Sequence, residues 1–207
     1  MQFQSDVQYI VTIDEMQMLF HIQDMLPMLF FASDVEADDS VKGKNEILAK
    51  LYGKGYVEWL GEQLVCTEPM RSILHEMQLA ERCMICDSYA MQLHSFIYYK
   101  NQDGGVLIRT ESSFANTFCL ERLSVNELKN RLEQVFEEEF HETAEELFEE
   151  GNPEGDQKLL TFEIRDKKSG DLISSLSLVE NGISDIMISQ ETRMRFSRKE
   201  LAEMLGL

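Results

Sequence analysis

Apolar positions along the chain recur at two spacings, every second residue and every third or fourth, and turn-forming residues separate the stretches. Phe3 to Val11 reads as a strand. Thr12-Ile13-Asp14-Glu15 then has capping-box spacing, in which a hydroxyl and the carboxylate three residues on satisfy free backbone N–H groups at a helix start. Met16, Leu19, Phe20 and Gln23 follow at helical intervals, and Pro27 predicts an end near Leu26. Ser33 to Ser40 is a polar acidic loop, and a second helix is predicted from Val41 to Tyr52, stopped by Gly53 and Gly55. Tyr56–Leu60 and Gln63–Cys66 flank Gly61-Glu62, a two-residue hairpin turn. Thr67 then opens a third helix running to about Gln78, with Pro69 tolerated in its first turn.

The middle of the chain is strand-rich. Arg82–Asp87, Tyr89–Lys100, Val106–Thr110 and Thr117–Arg122 predict strands, with a turn at Asn101 to Gly105. A long helix is expected from Ser124 to about Glu150, closed by Gly151-Asn152-Pro153. Leu159–Asp166, Leu172–Glu180 and Ile183–Gln190 predict three more strands, and a last helix begins near Ser197. One template recurs: Thr12-x-x-Glu15-Met16, Ser124-x-x-Glu127-Leu128 and Ser197-x-x-Glu200-Leu201, each after an expected strand. Capping boxes are common enough to explain this. The sharper reading is a pseudo-two-fold duplication, with halves 1–122 and 123–207 inside a single domain. Either way the order of elements predicts an α+β fold with a mostly antiparallel central sheet and flanking capped helices.

Composition narrows the functional classes. With 38 acidic against 19 basic residues the net charge is −19, which repels phosphate backbones and anionic membrane surfaces at long range. No nucleic-acid partner and no membrane insertion are expected. The most apolar stretch, Met16 to Ala32, is broken by His21, Gln23, Asp24 and Pro27, whereas a span needs about 20 nearly uninterrupted apolar residues. The N-terminus lacks a signal-peptide pattern, so a cytosolic protein is expected.

Catalytic and metal chemistry find little to build on. Cys83-Met84-Ile85-Cys86 is a lone CxxC with no second pair to complete a zinc site, and on a strand its thiols face opposite sides. His75-Glu76 and His141-Glu142 begin like HExxH, but Leu79 and Glu145 stand where the second histidine is required. No GxSxG and no phosphate-cradling glycine loop appears. Neither a catalytic residue nor a cofactor or metal is assigned, although a small enzyme of unknown chemistry stays open as an alternative. A second alternative rests on residues 45–74, where helix, hairpin and helix have the order of a winged-helix DNA-binding regulator. The wing, however, carries Glu58 and Glu62, while Lys42, Lys44, Lys50 and Lys54 precede it.

The strongest local signal is acidic. Between Glu133 and Asp156 there are eleven acidic side chains and no Lys or Arg, so the rest of the chain carries only −8. Leu128, Leu132, Val135, Phe136, Phe140, Ala144, Leu147 and Phe148 form an apolar stripe on the same predicted helix. Glu138, Glu142, Glu145 and Glu149 are the candidate face for a basic protein partner. An ordinary solvated face is the competing reading. Tyr98 and Tyr99, beside the Asp103-Gly104-Gly105 turn, are the other candidate contact residues, with half-buried core the alternative.

The opening run Val11-Thr12-Ile13-Asp14-Glu15-Met16-Gln17-Met18-Leu19-Phe20, with Asp24-Met25-Leu26-Pro27 after it, resembles the start of the EspG family. The likeness continues as an order of elements: the helix with Leu51 and Gly55, the hairpin at Gly61, the helix around Arg71–Gln78, the central strands, the Ser124 helix and the Ser197 helix. The long acidic helix departs from that family's pattern. The resemblance implies a cytosolic chaperone of type VII (ESX) secretion that binds helical substrate pairs and keeps them soluble for export. No family binding residue is carried across.

Overall fold

The computed structural model describes residues 8–25, 41–89, 94–102, 104–110, 116–142, 153–181, 184–190 and 192–207. Among the described residues five α-helices, α1 (Ile13–Ile22), α2 (Val41–Gly53), α3 (Glu68–Leu79), α4 (Val125–Glu139) and α5 (Arg198–Leu205), flank two sheets. The small sheet is the hairpin β2 (Val57–Leu60) and β3 (Gln63–Cys66), turned at Gly61, whose φ of +65° suits glycine. The large sheet contains β1 (Gln8–Thr12), β4 (Arg82–Ser88), β5 (Phe96–Lys100), β6 (Gly104–Thr110), β7 (Thr117–Ser124), β8 (Gln157–Asp166), β9 (Leu172–Asn181), β10 (Ser184–Ser189) and β11 (Thr192–Arg195). Its order is β1-β7-β6-β5-β4-β8-β9-β10-β11, and every pairing is antiparallel. The fold is α+β.

A four-stranded meander closed by a capped helix therefore occurs twice: β4 to β7 with α4, and β8 to β11 with α5. The first strands of the two meanders, β4 and β8, pair at the centre of the sheet. Two of the three recurring helix starts are complete capping boxes. Thr12 and Ser124 each accept from the backbone N–H three residues on, and Glu15 and Glu127 reach back. At the third, Ser197 accepts from the Glu200 N–H, while the Arg198 N–H donates to Glu142 Oε1 at 2.8 Å instead. Thr67, expected to cap α3, directs its hydroxyl to the carbonyl of Gly55 at 3.0 Å and so ties the helix to the hairpin root.

Strand alternation distributes side chains to two cores. Cys83, Tyr99, Val106, Ile108 and Leu120 join Met16, Leu19, Leu51, Met70, Ile73, Leu74 and Met77 under α1, α2 and α3. Met84, Cys86, Tyr98, Leu107 and Leu123 join Leu128, Leu132, Phe136, Phe162, Leu176, Met187, Leu201 and Leu205 under α4 and α5. No residue of β8 to β11 belongs to the first core.

Three expectations are corrected here. The helix predicted to reach Glu150 ends at Glu139, because Phe140 turns to an extended conformation (φ −125°, ψ 142°) and packs on Phe196 at 5.2 Å between ring centroids. A fourth strand, β11, follows the three expected in the C-terminal region; its sequence, Thr-Arg-Met-Arg, is too polar and short to signal one. β5 starts at Phe96, later than the Tyr89 expected. Pro27, the loop at Ser33 to Ser40 and residues 143–152 lie outside the described residues.

Candidate protein-binding surfaces

Neither tyrosine proposed as a contact residue reaches the surface. Tyr98 is fully buried in the second core, where its hydroxyl donates to the Leu123 carbonyl at 3.0 Å. Tyr99 is buried in the first core, and its hydroxyl finds no hydrogen-bond partner among the described residues. Burial raises both phenols above their ordinary range. The pair sits on β5, an interior strand rather than an edge, and this corrects the expectation that Tyr98 and Tyr99 offer an exposed surface. The adjoining turn explains Gly105: a Cβ there would lie 2.0 Å from the Tyr99 carbonyl oxygen.

The acidic candidates separate. Glu138 is exposed on the last turn of α4. Glu142 lies beyond the helix end and is engaged internally, accepting from the Arg198 N–H and pairing with its guanidinium at 3.4 Å. These contacts, the backbone hydrogen bond first, hold its carboxyl below the ordinary glutamate value. Glu145 and Glu149 lie outside the described residues. The segment after α4 is fastened to the C-terminal region at several points: Phe140 on Phe196, His141 N–H on Asp185 Oδ2 at 2.7 Å, and Glu142 on Arg198. Further on, Asp156 takes the Arg193 guanidinium at 2.8 Å and the Asn181 amide at 2.6 Å.

The surface missed by sequence reasoning is the hairpin tip. Val57 and Cys66 root β2–β3 in the first core, Arg71 donates to the Cys66 carbonyl at 2.9 Å, and the Tyr56 hydroxyl accepts from the Ile10 N–H at 3.0 Å. On this fixed base Trp59 stands 62% exposed and Leu60 71% exposed, with Tyr52 also exposed at the end of α2. Alternation placed Trp59 on the same side as buried Val57, so the pattern alone argued for core. No described helix covers the tip, where residues 58–63 are all exposed. Its outward charges are Glu58 and Glu62, and Lys54 is occupied by Glu15 at 2.6 Å. A winged-helix protein would place cations there to meet phosphates.

Chemistry of other kinds is sparse. Cys83 and Cys86 point into different cores, and all four cysteines are buried and free. Burial pushes the Cys66 and Cys83 thiols up to about 11 and Cys86 higher. Among the described residues no group of three or more His, Cys, Asp or Glu is placed to hold a metal ion, and no helix is long and apolar enough to cross a membrane.

No protein-family model and no curated protein matches this sequence. Among solved structures the chain is similar to the Mycobacterium tuberculosis type VII secretion system chaperone EspG5, determined in complex with a PE25-PPE41 dimer. The superposition has a TM-score of 0.60 at 9% identity and covers 97% of this chain and 95% of that one. At that identity the likeness is one of fold, and it spans nearly the whole of both chains.

Proposed function

We propose that the protein is a cytosolic chaperone or adaptor that binds helical type VII secretion substrates, holds them soluble for export and performs no catalysis itself. The observation that carries this reading is the fold shared over nearly full length with a chaperone captured on its client. An exposed Trp-Leu pair on a rigidly rooted hairpin suits the same role, since tryptophan is over-represented among residues that dominate interface energetics. The chain acts as one domain, and the meander that repeats in it is divided after α4 rather than at residue 122. The acidic stretch, through Glu138, Glu145 and Glu149, steers basic clients. Glu142 can contribute only when Arg198 releases it, and Tyr98 and Tyr99 support the sheet from within.

Co-expression with candidate helical type VII secretion substrates tests this proposal. A soluble complex that co-elutes in gel filtration is expected. Trp59→Ala should weaken it by about tenfold or more with the unfolding temperature unchanged. Clients that stay insoluble, or that bind Trp59→Ala as well as wild type, would count against the role and the surface respectively. Changing Glu138, Glu145 and Glu149 together to Gln should slow association and flatten its salt dependence.

A further inference from the structure

Among the described residues the nine-stranded sheet has two outer edges, and they are finished differently. β11 carries Arg193 and Arg195, and charged side chains on an edge oppose pairing with another strand. β1 reads Gln8-Tyr9-Ile10-Val11-Thr12, with no charge, no proline and strong strand formers at its centre. By its sequence alone this edge is open to another chain. Ile10, at its midpoint, is 46% exposed.

Side chains close it instead. β7 pairs along one side of β1, and the Ile10 N–H and C=O are engaged on the other. The Tyr56 hydroxyl accepts from the Ile10 N–H at 3.0 Å and donates to the Ile10 carbonyl at 3.3 Å, so one oxygen fills the place of a neighbouring strand residue. The Lys54 ammonium donates to the same carbonyl at 3.1 Å. Glu15, almost fully buried, holds that ammonium at 2.6 Å and accepts from the Thr12 N–H at 2.8 Å, the donor two residues further along the same edge. Lys54 and Tyr56 reach β1 from the root of the hairpin, where the Tyr56 ring packs 5.6 Å from that of Tyr9.

We propose that the β1 edge is a latent pairing surface for a second copy of this chain, held shut by Tyr56, Lys54 and Glu15. Two copies of β1 laid antiparallel about Ile10 are self-complementary: Ile10 meets Ile10, Tyr9 meets Val11 and Gln8 meets Thr12, with no like charges opposed. β1 has no charge with which to select a foreign strand, whereas its own sequence fits it in register. Such a two-fold contact uses the Ile10 N–H and C=O of both copies, the groups that Tyr56 and Lys54 occupy. Guard and dimer therefore compete for the same hydrogen bonds, and only one of them forms. The pairing needs no client, so its fate does not depend on the chaperone reading.

The test is sedimentation equilibrium of the full chain at about 0.15 M salt, where a Debye length of about 8 Å screens repulsion between copies. Three substitutions open the edge: Tyr56→Phe, Lys54→Met and Glu15→Gln. The last avoids a carboxylate buried alone and keeps an acceptor for the Thr12 N–H. The opened chain should dimerise at least about tenfold more tightly than wild type, since the competing hydrogen bonds are gone. Adding Ile10→Lys, which sets like charges opposite each other, should return it to wild-type behaviour. Tyr56→Phe alone removes a single hydroxyl and guards against misfolding of the triple variant. It should still self-associate more than wild type, and its Ile10 amide should exchange hydrogen at least about tenfold faster. An opened chain no more dimeric than wild type, a dimer that survives Ile10→Lys, or an Ile10 amide indifferent to Tyr56→Phe would each overturn the proposal.

Discussion

The two meanders of the large sheet share a backbone plan and differ in what their side chains do with it. In β4 to β7, neighbouring residues enter opposite cores: Cys83 and Met84, Tyr98 and Tyr99, Val106 and Leu107. Their sequences accordingly run nearly continuously apolar, as in Phe96-Ile97-Tyr98-Tyr99, the pattern of strands covered on both faces. In β8 and β9 the pattern alternates: Phe162, Leu176 and Leu178 face the second core, and Thr161, Glu163, Ser175 and Ser177 lie between them. Those intervening residues are half-buried and meet one another, with Thr161 Oγ1 3.3 Å from Ser177 Oγ and Arg165 paired to Glu163 at 2.7 Å. One topology thus serves a two-sided core in one half and, apart from the buried Val179–Ile186 pair on the opposite face, a one-sided core in the other, and side-chain alternation decides which.

Substitutions on the two sides of that contrast should differ most. Leu74→Ala, fully buried where α3 covers the first meander, should cost about 2–5 kcal/mol in urea unfolding. Ser177→Ala, on the polar face of the second, should stay within about 0.5 kcal/mol. Similar costs at the two positions would break the comparison.

Next in size is the ion pair that ties the connection into β8 to the outermost strand. Asp156→Asn removes a charge-assisted contact to an Arg193 that is largely buried, and should cost about 1–3 kcal/mol. The Arg193 hydrogen bond is the main reason the Asp156 carboxyl titrates below the ordinary aspartate value. Its contribution is therefore complete above about pH 4, the unfolded-state value, and disappears as pH falls through the depressed folded-state value. Wild type should lose more stability than Asp156→Asn over that acid range, and parallel curves would show that the pair does not hold the second meander.

A smaller effect is expected at the hairpin, where Trp59→Ala should change unfolding free energy by less than about 0.5 kcal/mol because the side chain is largely exposed. A larger loss would mean that Trp59 belongs to the first core after all. The smallest concerns the cysteines: chelator or reductant should leave the unfolding temperature nearly unchanged. A fall of about 10 °C or more would reveal a stabilising metal or disulfide.

Much of the fold was legible in local pattern. The Thr12 and Ser124 boxes, the Gly61 hairpin and the opposed faces of Cys83 and Cys86 each depend on residues within a few positions, where dihedral preference and side-chain direction are set by the chain itself. The candidate site was far less legible. Glu138 and Glu142 stand four apart and read as one helical face, yet the segment breaks between them because Phe140 finds Phe196 and Glu142 finds the N–H of Arg198, 56 residues away. No periodicity encodes such partners.

What the sequence determined by itself was the placing of helices, turns and apolar faces, since propensity, capping and alternation act over a few residues. Tertiary structure alone decided which faces would be covered. It buried Tyr98 and Tyr99 between two layers, and left Trp59 exposed on a hairpin whose root is held in the first core. Exposure and pairing depend on what other segments bring to a position, and that is settled only when distant strands take their places in the sheet.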